Sequence, residues 1–205
     1  MGFSGDLIFG RSECPLVEAP VFSGLREEVR DGIHAWWPRP GGWQTLQLDY
    51  GLWEEASLAA LVQWTGAAAC CASVYDSDTA LVTGLGTDGR QWDAYLHLEL
   101  LAASEAGDLW AEEPAGMGDM SVWVTTPAYA AATRRKLAEL DATVPADARA
   151  ALAWAANAGF PGKADPASIE AVLRSHEVFV EESFTALLDR LGFPAAAEPA
   201  DHLTV

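Results

Sequence analysis

The stretch from Ala67 to Leu98, AAACCASVYDSDTALVTGLGTDGRQWDAYLHL, constrains the fold of this chain more than any other. Two polar breaks, Asp76-Ser77-Asp78 and Gly86-Thr87-Asp88-Gly89, cut a long apolar run into three short segments. Breaks of Asp, Ser and Gly between β-friendly runs are the pattern of a strand meander. In the last segment Trp92, Ala94, Leu96 and Leu98 alternate with Asp93, Tyr95, His97 and Glu99. Alternation of that kind belongs to a strand and places the second set on one polar face.

The same alternation decides how to read the G-x-G-x-x-G formed by Gly84, Gly86 and Gly89. In a dinucleotide fold such glycines let the backbone approach a pyrophosphate, which rests on the N-terminus of the helix that follows. An acidic residue about 20 positions later would hold a ribose, and Asp108 stands there. A strand after Gly89 removes the required helix, so the glycines read as a hairpin turn and no cofactor is expected.

Around the meander, Asp6 to Gly10 reads as a short strand, and Leu25, Val29 and Ile33 set a helix over Ser23–Ala35. WWPRPGGW, from Trp36 to Trp43, reads as an irregular loop because of its prolines and glycines. Leu46, Leu48 and Tyr50 alternate as a half-buried strand. A helix over Trp53–Trp64 would bury Leu58, Leu61 and Val62 and end at Gly66. The third meander strand runs into a helix near Glu99. An acidic loop follows over 107–120, and Ser121–Thr125 reads as an edge strand.

From Pro127 alanine dominates, with helices expected over Pro127–Leu140, Ala146–Ala158, Pro166–Arg174 and His176–Leu191. The second and last of these end alike, in Gly159-Phe160-Pro161 and Gly192-Phe193-Pro194. Such ends turn on a left-handed glycine, an apolar residue that folds back, and a proline that forbids continuation. Val180, Phe184, Leu187, Leu188 and Leu191 make the buried stripe of the last helix. The fold class expected is α+β: a small, mainly antiparallel sheet with the meander at about 67–98, covering helices, and a helical C-terminal part. Residues 1–126 form the sheet region and 127–194 the helical region packed on it, in one domain overall, with 195–205 a flexible tail.

Acidic residues outnumber Lys and Arg 30 to 12, for a formal charge of −18. That field repels nucleic acid, whose binding depends on neutralising phosphates, and favours basic partners. Three cysteines without a C-x-x-C suggest reduced thiols and a cytoplasmic setting. The N-terminus lacks the basic and apolar regions of a signal peptide, and no apolar run reaches a membrane span.

Four features are candidates for a site. Asp93, Tyr95, His97 and Glu99 could bind a ligand or pass a proton from one polar face, although the other histidines show no ligand spacing that would complete a metal site. Trp36, Trp37, Arg39 and Trp43 could make a contact surface or fold over the sheet as core. Asp108, Glu112 and Glu113 supply an acidic loop without a basic residue. Asp76 and Asp78 suit a cation or, more simply, the capping of a turn. No catalytic constellation is present. The leading expectation is a non-enzymatic binding protein that engages a basic protein partner. Immunity proteins that neutralise basic toxins have that physical character, an analogy from charge alone. The alternative is a small-molecule enzyme or ligand-binding domain with a pocket between the Trp36–Trp43 loop and the Asp93/His97/Glu99 face. Oligomeric state is not encoded in any of these patterns.

Overall fold

The computed structural model describes residues 2–23, 31–54, 56–112, 120–162 and 164–197. Its frame is a six-stranded antiparallel sheet: β1 (Gly5–Arg11), β2 (Ile33–Pro38), β3 (Trp43–Asp49), β4 (Ala69–Tyr75), β5 (Thr79–Leu85) and β6 (Gln91–Leu96). The spatial order is β2-β3-β1-β4-β5-β6, so β1 lies in the middle, paired with β3 on one side and β4 on the other. The helices are α1 (Ser57–Thr65), α2 (Leu98–Asp108), the single turn α3 (Met120–Trp123), α4 (Pro127–Asn157), α5 (Pro166–Leu173) and α6 (Val180–Arg190). The fold is α+β, and the meander forms β4, β5 and β6 with Gly86–Gly89 as a hairpin turn.

Alternation along the strands sorts side chains between two cores. Leu7, Phe9, Cys70, Val82, Trp92 and Leu96 point to one face, where Val144, Ala148, Trp154, Ile169, Phe184 and Leu187 of α4, α5 and α6 cover them. Ile8, Leu46, Leu48 and Cys71 point to the other, under α1 and the short 3-10 turns Leu16–Glu18 and Pro20–Phe22. The helical region thus shares one core with the sheet. Both Gly-Phe-Pro ends fold as expected: Phe160 N–H reaches Ala155 O at 2.9 Å and Phe193 N–H reaches Leu188 O at 3.2 Å, with Gly159 and Gly192 left-handed at φ 98° and 95°. They converge, since the Phe160 and Phe193 rings meet at 4.6 Å and both pack on Trp43.

The turn between β4 and β5 holds the N-terminus and α6 together. Asp76 and Ser77 are left-handed at φ 51° and 58°, a conformation costing about 1 kcal/mol or more for a residue with a side chain. The hydrogen bonds they make offset it. Asp76 Oδ1 accepts from Gly2 N at 2.6 Å, and Ser77 Oγ accepts from Phe3 N at 2.8 Å. Ser77 Oγ donates to Glu181 Oε1 at 2.8 Å, and Ser77 O accepts from Val180 N at 2.9 Å. The Asp76 side chain thus caps the incoming chain at Gly2.

Several expectations need correction. Residues 24–30 lie outside the described residues, but Ile33 onward is strand, so the helix does not run to Ala35. Trp36 to Trp43 is regular rather than irregular. It is the end of edge strand β2, a 3-10 turn at Pro40–Gly42 and the start of β3, and Pro38 is tolerated because β2 is the edge strand of the sheet. Ser121–Thr125 is no strand: α3 and a turn place Trp123 in the interior, where its Nε1 donates to Ala106 O at 2.9 Å. The two helices expected between Pro127 and Ala158 are one, α4, with Pro145 inside it. Burial of Val144, Ala148, Ala151 and Ala155 on one stripe carries the helix through that proline. Of the tail, Pro194 to Ala197 is laid along β2 by a bond from Ala197 N to Pro38 O at 2.9 Å, and 198–205 lie outside the described residues.

Candidate functional site

The two faces of the sheet are covered unequally. On the second face, α1 packs over β1, β4 and the part of β5 around Leu85, and leaves Asp93 and Tyr95 of β6 exposed. Registers fix what is left open. One row runs Asp6, Ser73, Leu81, Tyr95 across β1, β4, β5 and β6, and the next runs Ile8, Cys71, Thr83, Asp93. With Trp53 and Leu58 as a wall and Gln91 at the end, all of these side chains except the buried Ile8 line a groove of about 400 Å³. That lies within the range of ligand-binding clefts.

Asp6 lies at the floor of the groove, 6% exposed. Its Oδ1 accepts from Ser73 Oγ at 2.8 Å and from the Cys71 thiol at 3.6 Å. Burial pushes the carboxyl above its ordinary range, and the hydrogen bonds from Ser73 and Cys71 pull it back in part. Burial likewise pushes Cys71 up, with Asp6 adding to it, so this thiol stays protonated and is no nucleophile. Asp93, exposed on β6, accepts from Thr83 Oγ1 at 2.8 Å. The groove therefore offers two carboxylates between aromatic and aliphatic walls, a chemistry that suits a cationic side chain.

Set beside protein-family models, curated proteins and solved structures, the chain matches none. Side-chain geometry alone carries the functional reading.

The polar face expected of Asp93, Tyr95, His97 and Glu99 divides in two. Asp93 and Tyr95 line the groove. The strand ends at Leu96, and His97, left-handed at φ 59°, turns its ring to the other side of the sheet, where it is 1% exposed. There His97 Nδ1 lies 2.8 Å from Asp78 O and Nε2 lies 2.8 Å from Ser183 Oγ. A carbonyl can only accept, so Nδ1 carries the proton and the Ser183 hydroxyl donates to Nε2. Desolvation holds the imidazole below its ordinary 6.5, the Asp78 carbonyl opposing it. The order hydroxyl, imidazole, carbonyl resembles a nucleophile with its base and orienter. Ser183, however, is 1% exposed and does not line the cleft that His97 borders, so the relay clamps α6 to the end of β6.

His97 and Glu99 instead border a cleft of about 520 Å³ between the start of α2, the middle of α4 and the end of α5. Arg134, Leu137, Asp141, Arg174 and His176 are among its lining, and His176 stacks on His97 at 4.4 Å. Arg174 is held by Asp141 and Glu170.

Trp36 and Trp37 lie on β2, Trp43 on β3 and Arg39 in the turn between them, at the far side of the sheet from β6. Five strand spacings separate β2 from β6, about 24 Å, so the pocket expected between the Trp stretch and the Asp93/His97/Glu99 face does not form. Trp43 is core, stacked on Phe9 at 5.0 Å, and Trp37 packs against the same core. Trp36 packs on the second core and donates Nε1 to Gln44 Oε1 at 3.0 Å. Arg39 is buried, with Nη1 on Asp189 Oδ1 at 2.6 Å and on Pro194 O at 2.9 Å, over the Phe9 ring. Asp108 ends α2 on the surface, the Glu112 backbone closes a 3-10 turn, and Glu113 lies outside the described residues. Among the described residues no cluster of three or more His, Cys, Asp or Glu could hold a metal, and no helix is long and apolar enough to cross a membrane. Asp6, Cys71, Ser73, Thr83 and Gln91 are polar groove residues that alternation did not single out. The signal for Asp6 was a lone acid inside the strand GDLIFGR.

Proposed function

We propose that this chain is a binding protein whose half-open sheet receives a cationic segment of a basic protein partner. The observation that carries the reading is Asp6: a buried carboxylate, desolvated at a cost, kept at the floor of a groove that also presents Asp93 and Tyr95. A guanidinium or ammonium entering there would recover that cost and lie against Tyr95 and Trp53. The formal charge of −18 steers basic partners toward the whole molecule. Several of the few cations are already spent internally, Arg39 on Asp189, Lys136 on Glu105 and Glu139, and Arg174 on Asp141 and Glu170.

The test is an NMR titration with short peptides that differ in one residue, Arg, Lys or Glu. Amides of Ser73, Thr83, Asp93 and Tyr95 shift with Arg and Lys and not with Glu, and raised salt suppresses the shift. Asp6→Asn weakens binding by about 2 kcal/mol, some thirtyfold. The same substitution leaves the fold as stable or more so at neutral pH, because it removes the desolvated charge while keeping an acceptor for Ser73. Binding that is indifferent to salt and to Asp6→Asn overturns the proposal.

A second reading rests on the cleft beside His97, whose volume of about 520 Å³ suits a small molecule. A thermal-shift screen checks it: a stabilising compound whose effect is lost in His176→Ala would support this reading, and no hit would remove it.

A further inference from the structure

Three buried polar atoms have no hydrogen-bond partner and belong to residues that meet at one place: Arg39 Nε, Thr45 Oγ1 and Glu181 Oε2. Arg39 comes from the β2–β3 turn, Thr45 from β3 and Glu181 from the first turn of α6. All three line a cavity of about 30 Å³ together with Leu7, Trp37, Thr185 and Ala196. The Arg39 side chain is 1% exposed, and Thr45 is 4% exposed. Burying such groups unpaired costs about 1–3 kcal/mol each, and more where the group is charged.

We propose that this cavity is an internal hydration site, holding one water that joins Arg39 to Glu181. Size admits a water, which needs roughly 10–15 Å³ and two to four polar partners. Polarity selects it. Arg39 Nε–H donates, the Glu181 carboxylate oxygen accepts, and the Thr45 hydroxyl does either. A water accepts from Arg39, donates to Glu181 and uses its remaining hydrogen on Thr45 Oγ1. A metal cation would face the guanidinium, and an anion would face the carboxylate, so neither fits all three groups.

The bound water completes a relay. It runs from Asp189 through Arg39 and the water to Glu181, then through Ser77 Oγ to the Phe3 amide. Through it the β2–β3 hairpin, α6, the β4–β5 turn and the start of β1 share one polar network. The charge of Glu181 is then balanced by Arg39 without the two touching.

Water–protein cross-relaxation NMR on the intact chain tests the site, backed by a crystal structure fine enough to show ordered solvent. The expected result is one long-lived water with contacts to the Arg39 Nε proton and to Thr45, its oxygen about 2.7–3.2 Å from the three atoms. Thr45→Val keeps the shape and removes one partner, and it shortens the residence time about fivefold, the equivalent of one hydrogen bond. Absence of cross-relaxation in the unaltered protein overturns the proposal. So does a direct Arg39–Glu181 bond in the crystal, an ion at the site, or a residence time that Thr45→Val leaves unchanged. Should Thr45→Val fail to fold, the measurement on the unaltered protein decides.

Discussion

Replacing Phe193 by Ala should cost this protein about 4 kcal/mol, a large part of the 5–15 kcal/mol typical of a domain. Phe193 is 4% exposed, and its ring lies 4.8 Å from those of Phe9 and Trp43, 5.2 Å from Trp154 and 4.6 Å from Phe160. A phenylalanine buries about 150–250 Å². At about 25 cal/mol per Å², losing two thirds of that area removes about 3 kcal/mol. The cavity left among four rigid rings adds about 1 kcal/mol, since aromatic neighbours held by a sheet and two helix ends collapse poorly. Urea unfolding followed by tryptophan fluorescence measures the loss. With a slope of about 2 kcal/mol per molar urea, the midpoint falls by about 2 M. Phe179→Ala is the control, because Phe179 is 51% exposed and its loss should cost less than about 0.5 kcal/mol. A loss at Phe193 below about 1.5 kcal/mol, or one equal to the control, would refute the view that the two Gly-Phe-Pro ends lock the core.

Gly159→Ala and Gly192→Ala should each cost about 1–2 kcal/mol in the same assay, since both positions have φ near 95° to 98°. Gly84→Ala places a methyl 2.0 Å from Trp92 Nε1, so the indole must move. Overpacking of about 1–3 kcal/mol and an altered near-ultraviolet circular dichroism band should follow, and an unchanged band counts against the packing described. For His97 the folded state holds the imidazole neutral, below 6.5, while the unfolded chain takes up a proton near 6.5. Its contribution is complete above that value and is lost as pH falls from 6.5 through the folded pKa, at up to about 1.4 kcal/mol per pH unit. Urea midpoints at several pH values should show this slope in the unaltered protein and a flatter one in His97→Gln. Identical slopes would rule it out.

The meander was legible in the sequence because its information is local. Alternation from Trp92 to Leu96 and the Asp and Gly breaks specify strands whose partners are their immediate neighbours. The Gly-Phe-Pro ends were legible for the same reason. Where expectation failed, distant packing outweighed a local signal. Ile33 fits a helical stripe with Leu25 and Val29, yet β3 offers it a strand edge. Pro145 is a helix breaker by rule, yet α4 continues because Val144 and Ala148 are both buried against the core. Val122 and Val124 alternate like a strand, but both are exposed and the segment forms α3 and a turn instead. The groove was half legible. Asp93 and Tyr95 came from periodicity, but that Asp6 joins them depends on β1 lying between β3 and β4, which no neighbouring residues encode.

The central place of β1 has a consequence for assembly. The β2–β3 hairpin and the β4–β5–β6 meander are each self-contained in sequence, and within the sheet it is β1 that pairs with both. Their formation is local and quick, whereas insertion of β1 must close loops through Cys71 on one flank and Leu46 on the other. Insertion of β1 is therefore the step expected to limit folding. The strand also makes a natural point of division: a peptide spanning Gly5–Arg11, supplied separately, has two waiting edges to join, and complementation of the remaining chain would report on sheet closure by itself.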